Sequence, residues 1–387
     1  MSSIAVADRD ASGSREVSAE SRAAWRSSAA VAVAVRVAFI VVAVVATWFL
    51  AAREGTPGIG VFDMWRRWDA HHLLTIAEHG YTAPQSDPHA AAFFPLFPLS
   101  VRALLVVGLS PTVAGMVVTL AASVVAGAYL YRLAEDDVGE GSGGRALLYM
   151  VLFPTAVFLI APYSESLFLA GAIAAFYYAR RHSWHLVGIP AAVAMGSRAA
   201  GVFLLIGLAV EFLRQRDFSS ERIANAALAL VLGLLPLLAY GAFLSQAMGD
   251  PFEFLTAQSE GWGRRFVGPF TSFTTTWNTW NEGHATNWLM AWRVEIVAAA
   301  GGVIFTTWAA VRREWGYAAY MACLLGALMT SSWYYSIPRM LLSMFPIYLL
   351  LASLTRDRPS LHDGILIVLA PLAALGVVVF TQGNWFY

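Results

Sequence analysis

The chain alternates long apolar stretches with short polar breaks. Apolar runs of about 17–25 residues recur along nearly all of its 387 residues, each long enough to cross the hydrocarbon core of a bilayer. Eleven helical spans are predicted, roughly at 29–52, 111–133, 145–161, 163–181, 184–197, 199–214, 222–246, 293–312, 315–331, 337–355 and 363–381. The fold class is therefore all-α, a polytopic membrane protein. A polar, Ser-, Ala- and Arg-rich stretch over 1–28 precedes the first span and is expected to be a disordered cytoplasmic tail. The first apolar run is too long for a signal-peptide core and reads as a retained anchor. Residues 29–387 then form one membrane domain.

Orientation follows from the short Arg-bearing breaks, which are expected on the cytoplasmic side. These are Arg180-Arg181-His182, Arg214 to Arg222, Arg312-Arg313 and Arg356 to Arg358. With them inside, the N-terminus is cytoplasmic and two large loops face out, at about 53–110 and 249–292. The apolar stretch "FFPLFPLSVRALLVVGL" at 93–109 would reverse every later loop if it crossed. It is read as re-entrant or interfacial, with Pro95 and Pro98 suiting an irregular entry. Unusual polar residues then gather on one side of the membrane.

Composition narrows the function. The chain is 58% hydrophobic and only 13% charged, about half the charge of a soluble domain. Its formal net charge is zero, which gives no footing for nucleic-acid binding. All 25 basic residues are Arg, which with the Ala and Val load suggests a high-GC bacterial genome. A single cysteine, Cys323, rules out an internal disulfide and disfavours a cysteine-based metal site. No G-x-G-x-x-G fingerprint follows a strand, and the outer loops hold no D-x-D pair to grip a metal-bound diphosphate.

The densest chemistry is "RWDAHHLLTIAEHGY" at 67–81, just after the first span. On a helix Asp69, His72, Ile76 and His79 share one stripe, with Glu78 opposite. A carboxylate at the lipid boundary, Asp69 beside Trp68, can serve as a general base; it can equally form an ion pair with Arg66 or Arg67. Arg198, within "AMGSRAAGVF", sits between two apolar runs, where a charge is costly unless used or able to snorkel. Glu165, behind Tyr163 and Ser164, either steadies the start of its own helix or orients Arg198. Arg339 lies at the outer start of a span and is a second candidate cation. The second loop carries Gln258, Trp262, Arg264, Arg265, Trp277, Trp280, His284 and Trp288, either an interfacial belt or a sugar-stacking wall with a cationic edge. His71, His72 and His79 lack the convergent third or fourth ligand a zinc ion needs, so no metal is expected. The tail "GNWFY" reads as an anchor or a lid.

"RWDAHHLLTIAEHGY" followed by "AAFFPLFPL" resembles the first luminal loop of the GPI mannosyltransferase 2 (PIG-V-like) family. "PYSESLF" at 162–168, "SRAAG" at 197–201, "GDPFEFLTAQSEGW" at 249–262 and "SIPRMLLSMFPIY" at 336–348 follow in order, although "PRM" stands where an "RY" is expected. The resemblance implies a GT-C-type glycosyltransferase that uses a lipid-phosphate sugar, inverts the anomeric centre and has Asp69 as its catalytic carboxylate. It implies mannose, an α-1,6 linkage and, in a bacterium, polyprenyl-phosphate-mannose as donor, with no cofactor. Arg198 and Arg339 are then expected to bind the donor phosphate. Trp68, His72, Glu78, His79, Tyr163, Glu165, Gln258 and Trp262 are expected to support the site or bind sugar and acceptor. The expected setting is the outer face of a plasma membrane, with a glycolipid or peptide acceptor. A lipid-linked-sugar flippase and a protein O-mannosyltransferase are the alternatives. A flippase predicts ionisable residues along a path through the spans or repeated broken helices, whereas here the charge gathers on one side.

Overall fold

The structure, a computed structural model, describes residues 2–54, 60–281 and 286–385. Helix α1, Ser2–Glu54, starts within the polar stretch expected to be a tail; its span-capable part is Ser21–Leu50. That stretch mixes Ala and Arg, which favour helix, with Ser, and contains no proline to break one. Two short helices occupy the first loop, α2 (Asp69–His79) and α3 (Leu96–Leu105). Helix α4 (Pro111–Asp137) is long and apolar. It is followed by α5 (Ser142–Val151), α6 (Glu165–Arg180), α7 (Gly188–Ser197) and α8 (Gly201–Gln215). Helix α9 (Ser220–Met248) is again long, and α10 (Glu253–Trp262) and α11 (Pro269–Asn281) lie in the second loop. The chain continues through α12 (Thr286–Val311), α13 (Trp315–Met329), α14 (Ile337–Ser343), α15 (Pro346–Thr355) and α16 (Pro359–Thr381). Among the described residues, pairing of extended chain is limited to one antiparallel bridge, Phe266 to Ser331.

The all-α polytopic class holds, but helix length supports fewer complete crossings than eleven. Five helices are long and apolar enough to span, and six if α14 and α15, bent by 74°, count as one. The other expected spans are α5, α6, α7, α8 and α13, of 10 to 16 residues. At 1.5 Å per residue these are about 15–24 Å long, short of the ~30 Å hydrocarbon core. They are broken at Pro154, Pro162 and Arg198, where the sequence is still apolar enough to read as continuous. Helix α3, with 10 residues, is about 15 Å long and does not cross by itself, in keeping with a re-entrant or interfacial segment.

Helix α6 forms the centre. It packs against α4, α7 and α8, and nearly all of its side chains are buried. A Cβ on Gly171 would sit 2.5 Å from the Pro190 carbonyl, so glycine is what lets α6 and α7 approach so closely. The break before α6 leaves carbonyls without helical partners, and polar side chains take them up. Arg36 of α1 donates to the Leu159 carbonyl at 2.7 Å, and Ser123 and Ser166 donate to the same oxygen at 3.2 and 3.1 Å. This fixes the turn that presents Tyr163 and Glu165.

The two ends of α6 lie in different surroundings. At its C-terminal end Arg180 pairs with Asp137 at 3.0 Å and Glu314 at 2.7 Å, and Arg181 pairs with Asp136 at 2.8 Å. Arg214 pairs with Glu211 at 2.7 Å, Arg222 bonds to His182, and Arg356 donates to the Val138 carbonyl at 2.7 Å. The four Arg-bearing breaks therefore converge on one end of the bundle. About 22 Å away, at the N-terminal end of α6, both large loops and the C-terminal segment converge on Glu165.

Candidate active site

The site is built where four chain breaks meet. Asp69 is the first residue of α2. The residue before it, Trp68, has φ 51° and ψ −127°, a conformation that costs a side-chain-bearing residue about 1–3 kcal/mol. Arg339 lies in the first turn of α14, and the residue preceding that helix, Ser336, is also left-handed, with φ 63°. Arg198 occupies the extended break between α7 and α8, and Glu165 opens α6. Two strained joints thus flank the residues that form the central ion pair.

That pair is Asp69 Oδ2 with Arg339 Nη1. Arg339 Nε also donates to Glu165 Oε1, and Arg198 Nη1 donates to the same oxygen. Charges therefore alternate along Asp69, Arg339, Glu165 and Arg198. Glu165 is fully buried and Arg339 nearly so, which a lone charge could not tolerate. Arg339 also lies over the adjoining rings of Phe158 and Tyr163, 4.9 and 4.6 Å from their centroids. Tyr163 in turn donates its hydroxyl to the Arg67 carbonyl at 3.1 Å, tying α6 to the segment that carries Asp69. An aromatic beside Arg339 was placed in question by "PRM"; Phe158 and Tyr163 supply it from elsewhere, and Met340 instead meets Arg198 at 3.4 Å.

Burial pushes the Asp69 carboxyl up, but the charge and hydrogen bond of Arg339, with His72 and Arg198 adding, hold it below its ordinary range. Asp69 is accordingly ionised at neutral pH. It lines a cavity of about 480 Å³ together with Arg198, Arg339, Gln258, Trp262 and Arg264. Phe203 of α8, with Leu324, Ala327 and Leu328 of α13, gives this cavity an apolar wall.

The expected site residues separate into groups. Asp69, Arg198, Arg339, Gln258 and Trp262 line the cavity. Glu165 and Tyr163 lie buried beneath, in contact with Arg339. His72 stacks on Phe93, with centroids 5.4 Å apart, and meets Trp262 edge-on at 6.1 Å, so it buttresses the rim. Trp68 donates Nε1 to the Asn384 carbonyl at 3.3 Å and packs on Trp385, beside the cavity. Glu78 and His79 are not brought in. Glu78 pairs with Arg66 at 2.8 Å, and His79 is exposed at the far end of α2, about 15 Å along the helix from Asp69. The alternative partners weighed for Asp69 are engaged elsewhere, Arg66 with Glu78 and Arg67 with the Thr381 carbonyl. Trp280, His284, Trp288, Phe386 and Tyr387 lie outside the residues whose side chains are described.

Two further features bear on the site, the cationic edge raised from sequence for the second loop and Glu295, which was not singled out. Arg264 and Arg265 line the cavity and, among the described residues, have no carboxylate within ion-pair distance. Glu295 of α12 is buried and accepts the backbone N–H of Ser336 at 2.7 Å and of Ile337 at 2.8 Å, three and two residues before Arg339. The available signal was a lone carboxylate in the apolar run "VEIVAAAGG".

Residues 60–231 match the family model described as mannosyltransferase (PIG-V). Over this segment the chain is similar to the PIG-V mannosyltransferases. The matched segment holds Asp69, Glu165 and Arg198, and leaves Arg264, Glu295 and Arg339 beyond its end. The GPI alpha-1,6-mannosyltransferase 2 of Rattus norvegicus is 34% identical over 149 residues, covering 35% of this chain and 29% of the relative. That of Mus musculus is 35% identical over 150 residues, covering 36% and 30%, and that of Cricetulus griseus 34% over 170 residues, covering 41% and 33%. The matches thus span about a third of the length of these curated relatives. The site is completed by residues on both sides of residue 231, because α14 brings Arg339 back onto Asp69.

Proposed function

We propose that this PIG-V-like chain is a GT-C-type inverting mannosyltransferase. It takes mannose from polyprenyl-phosphate-mannose and gives it to a hydroxyl of a lipid-anchored acceptor at the outer face of a plasma membrane. The observation that carries this reading is the ionised Asp69, held by Arg339 at the floor of a cavity whose walls are apolar on one side and cationic on another. Asp69 accepts the proton of the acceptor hydroxyl as its oxygen bonds to C1 from the face opposite the phosphate. The C1–O bond to phosphate breaks, and the electron pair leaves with the lipid phosphate. Arg198 and Arg339 share their charge with Glu165 but keep further N–H groups. Arg264 and Arg265 add positive charge without a carboxylate partner among the described residues. A guanidinium fork suits phosphate oxygens, and placing it where charge develops is typically a large catalytic contribution. The wall of Phe203, Leu324 and Leu328 suits a prenyl tail.

A donor comparison tests the reading. Purified protein is given polyprenyl-phosphate-mannose or GDP-mannose with a panel of glycolipid and peptide acceptors. Transfer from the lipid donor alone is expected; transfer from the nucleotide donor overturns the donor assignment. Movement of intact donor between leaflets of proteoliposomes without mannosylated product replaces this reading with a flippase.

A further inference from the structure

The C-terminal segment supplies one wall of the cavity. After α16, Gln382 donates to Thr47 at 2.8 Å, the Thr381 carbonyl accepts from Arg67, and the Asn384 carbonyl accepts from Trp68. These contacts bring Trp385 into the cavity lining. Its ring stands edge-on to Trp68, with centroids 5.1 Å apart and planes at 82°, and lies 5.1 Å from Tyr335 at 37°. Tyr335 also lines the cavity and carries the Arg264 guanidinium over its other neighbourhood, 5.4 Å from its centroid. Three aromatic rings from three distant segments thus form a corner beside Asp69.

Their surroundings are polar, unlike the apolar wall from α8 and α13. Trp68 uses its N–H on a carbonyl, Arg264 sits over Tyr335, and Asp69 directly follows Trp68. Burial raises the Tyr335 phenol to about 12, so it keeps its proton and can both donate and accept. A sugar ring needs this mixture, with a flat apolar face for its C–H groups and hydrogen-bonding groups for its hydroxyls. An isoprenoid chain has no use for the second.

We propose that Trp385, Tyr335 and Trp68 form the acceptor subsite, where a hexose ring of a lipid-anchored acceptor stacks so that one of its hydroxyls reaches Asp69. The inference rests on the transfer reading above, and binding separates the two. The prenyl donor lies along the apolar wall and the acceptor sugar against the aromatic corner, so that the acceptor hydroxyl enters between Asp69 and C1, with the phosphate on the far side of C1.

The experiment measures binding to the full chain in nanodiscs. The probes are glucosyl- and mannosyl-dioctanoylglycerol, sugarless dioctanoylglycerol, and polyprenyl phosphate. Wild type is expected to bind at least one hexosyl lipid at least tenfold more tightly than the sugarless one. Trp385→Ala is expected to lose that preference tenfold or more, Trp385→Phe to recover most of it, and both to bind polyprenyl phosphate like wild type. Thermal melting of each variant in the same nanodiscs identifies misfolding, and Tyr335→Ala serves as the second variant. No sugar preference in wild type, or an undiminished preference in both alanine variants, overturns the subsite. A sugar preference in a protein that transfers no mannose leaves the subsite standing and removes the transfer reading.

Discussion

At the scale of single residues, the Asp69–Arg339 pair decides both charge state and pH response. Arg339 more than offsets the effect of burial on Asp69, leaving its native pKa depressed. A depressed native pKa contributes stability that is fully present above the unfolded value, about 3.9, and is lost as pH falls through the native value. The acid limb of activity due to Asp69 therefore lies below pH ~4. In Arg339→Gln the effect of burial stands uncompensated, and that limb should rise by about 1–3 pH units, measured as kcat/KM against pH. A fall of that limb, or no shift, contradicts the pairing. Glu165→Gln removes the carboxylate that two guanidiniums share and should cost about 3–5 kcal/mol, read as a lowered unfolding midpoint in detergent. The charged residues themselves were legible because a charge inside "AMGSRAAGVF" or "PYSESLF" stands out against its apolar neighbours. Their pairing was not, since Asp69 and Arg339 are 270 positions apart. Glu78 and His79 show the converse failure. They share a helix with Asp69, but an 11-residue helix carries its last turn well away from its first.

At the scale of elements, the site depends on short helices that end at polar positions. Hydrophobic patterning located these segments but not their breaks, because Pro154, Pro162 and Arg198 interrupt runs that remain apolar on either side. Helix α14 has seven residues and little propensity to hold its own orientation. It is held by Glu295, which accepts two of its leading N–H groups, and by Thr155, which donates to the Pro338 carbonyl at 3.2 Å. Glu295→Gln replaces one acceptor with a donor facing an N–H. Hydrogen exchange at Ser336 and Ile337 is expected to quicken at least tenfold, with α6 unchanged. Equal protection in the variant contradicts a positioning role for Glu295. That role lay outside the sequence reading because a lone Glu in a span gives no sign of which backbone it caps.

At the scale of the whole molecule, the chain has a polar, charge-paired end and an end that holds the candidate site, joined by the length of α6. The separation was legible from the distribution of Arg between loops, and the convergence of both large loops with the C-terminal segment came from packing. In a Cys323→Ser background, Gln85→Cys, exposed in the first large loop, should react with a membrane-impermeant maleimide in intact cells, and Arg313→Cys should react only after lysis. The reverse pattern would place the site on the cytoplasmic side. The most direct test of the site is transfer of labelled mannose from polyprenyl-phosphate-mannose by purified wild type and Asp69→Asn, assayed with the acceptor panel at equal donor occupancy. Product from wild type, falling about 10²–10⁴-fold in the variant, is expected of a general base. Product formed equally by both contradicts Asp69 as that base.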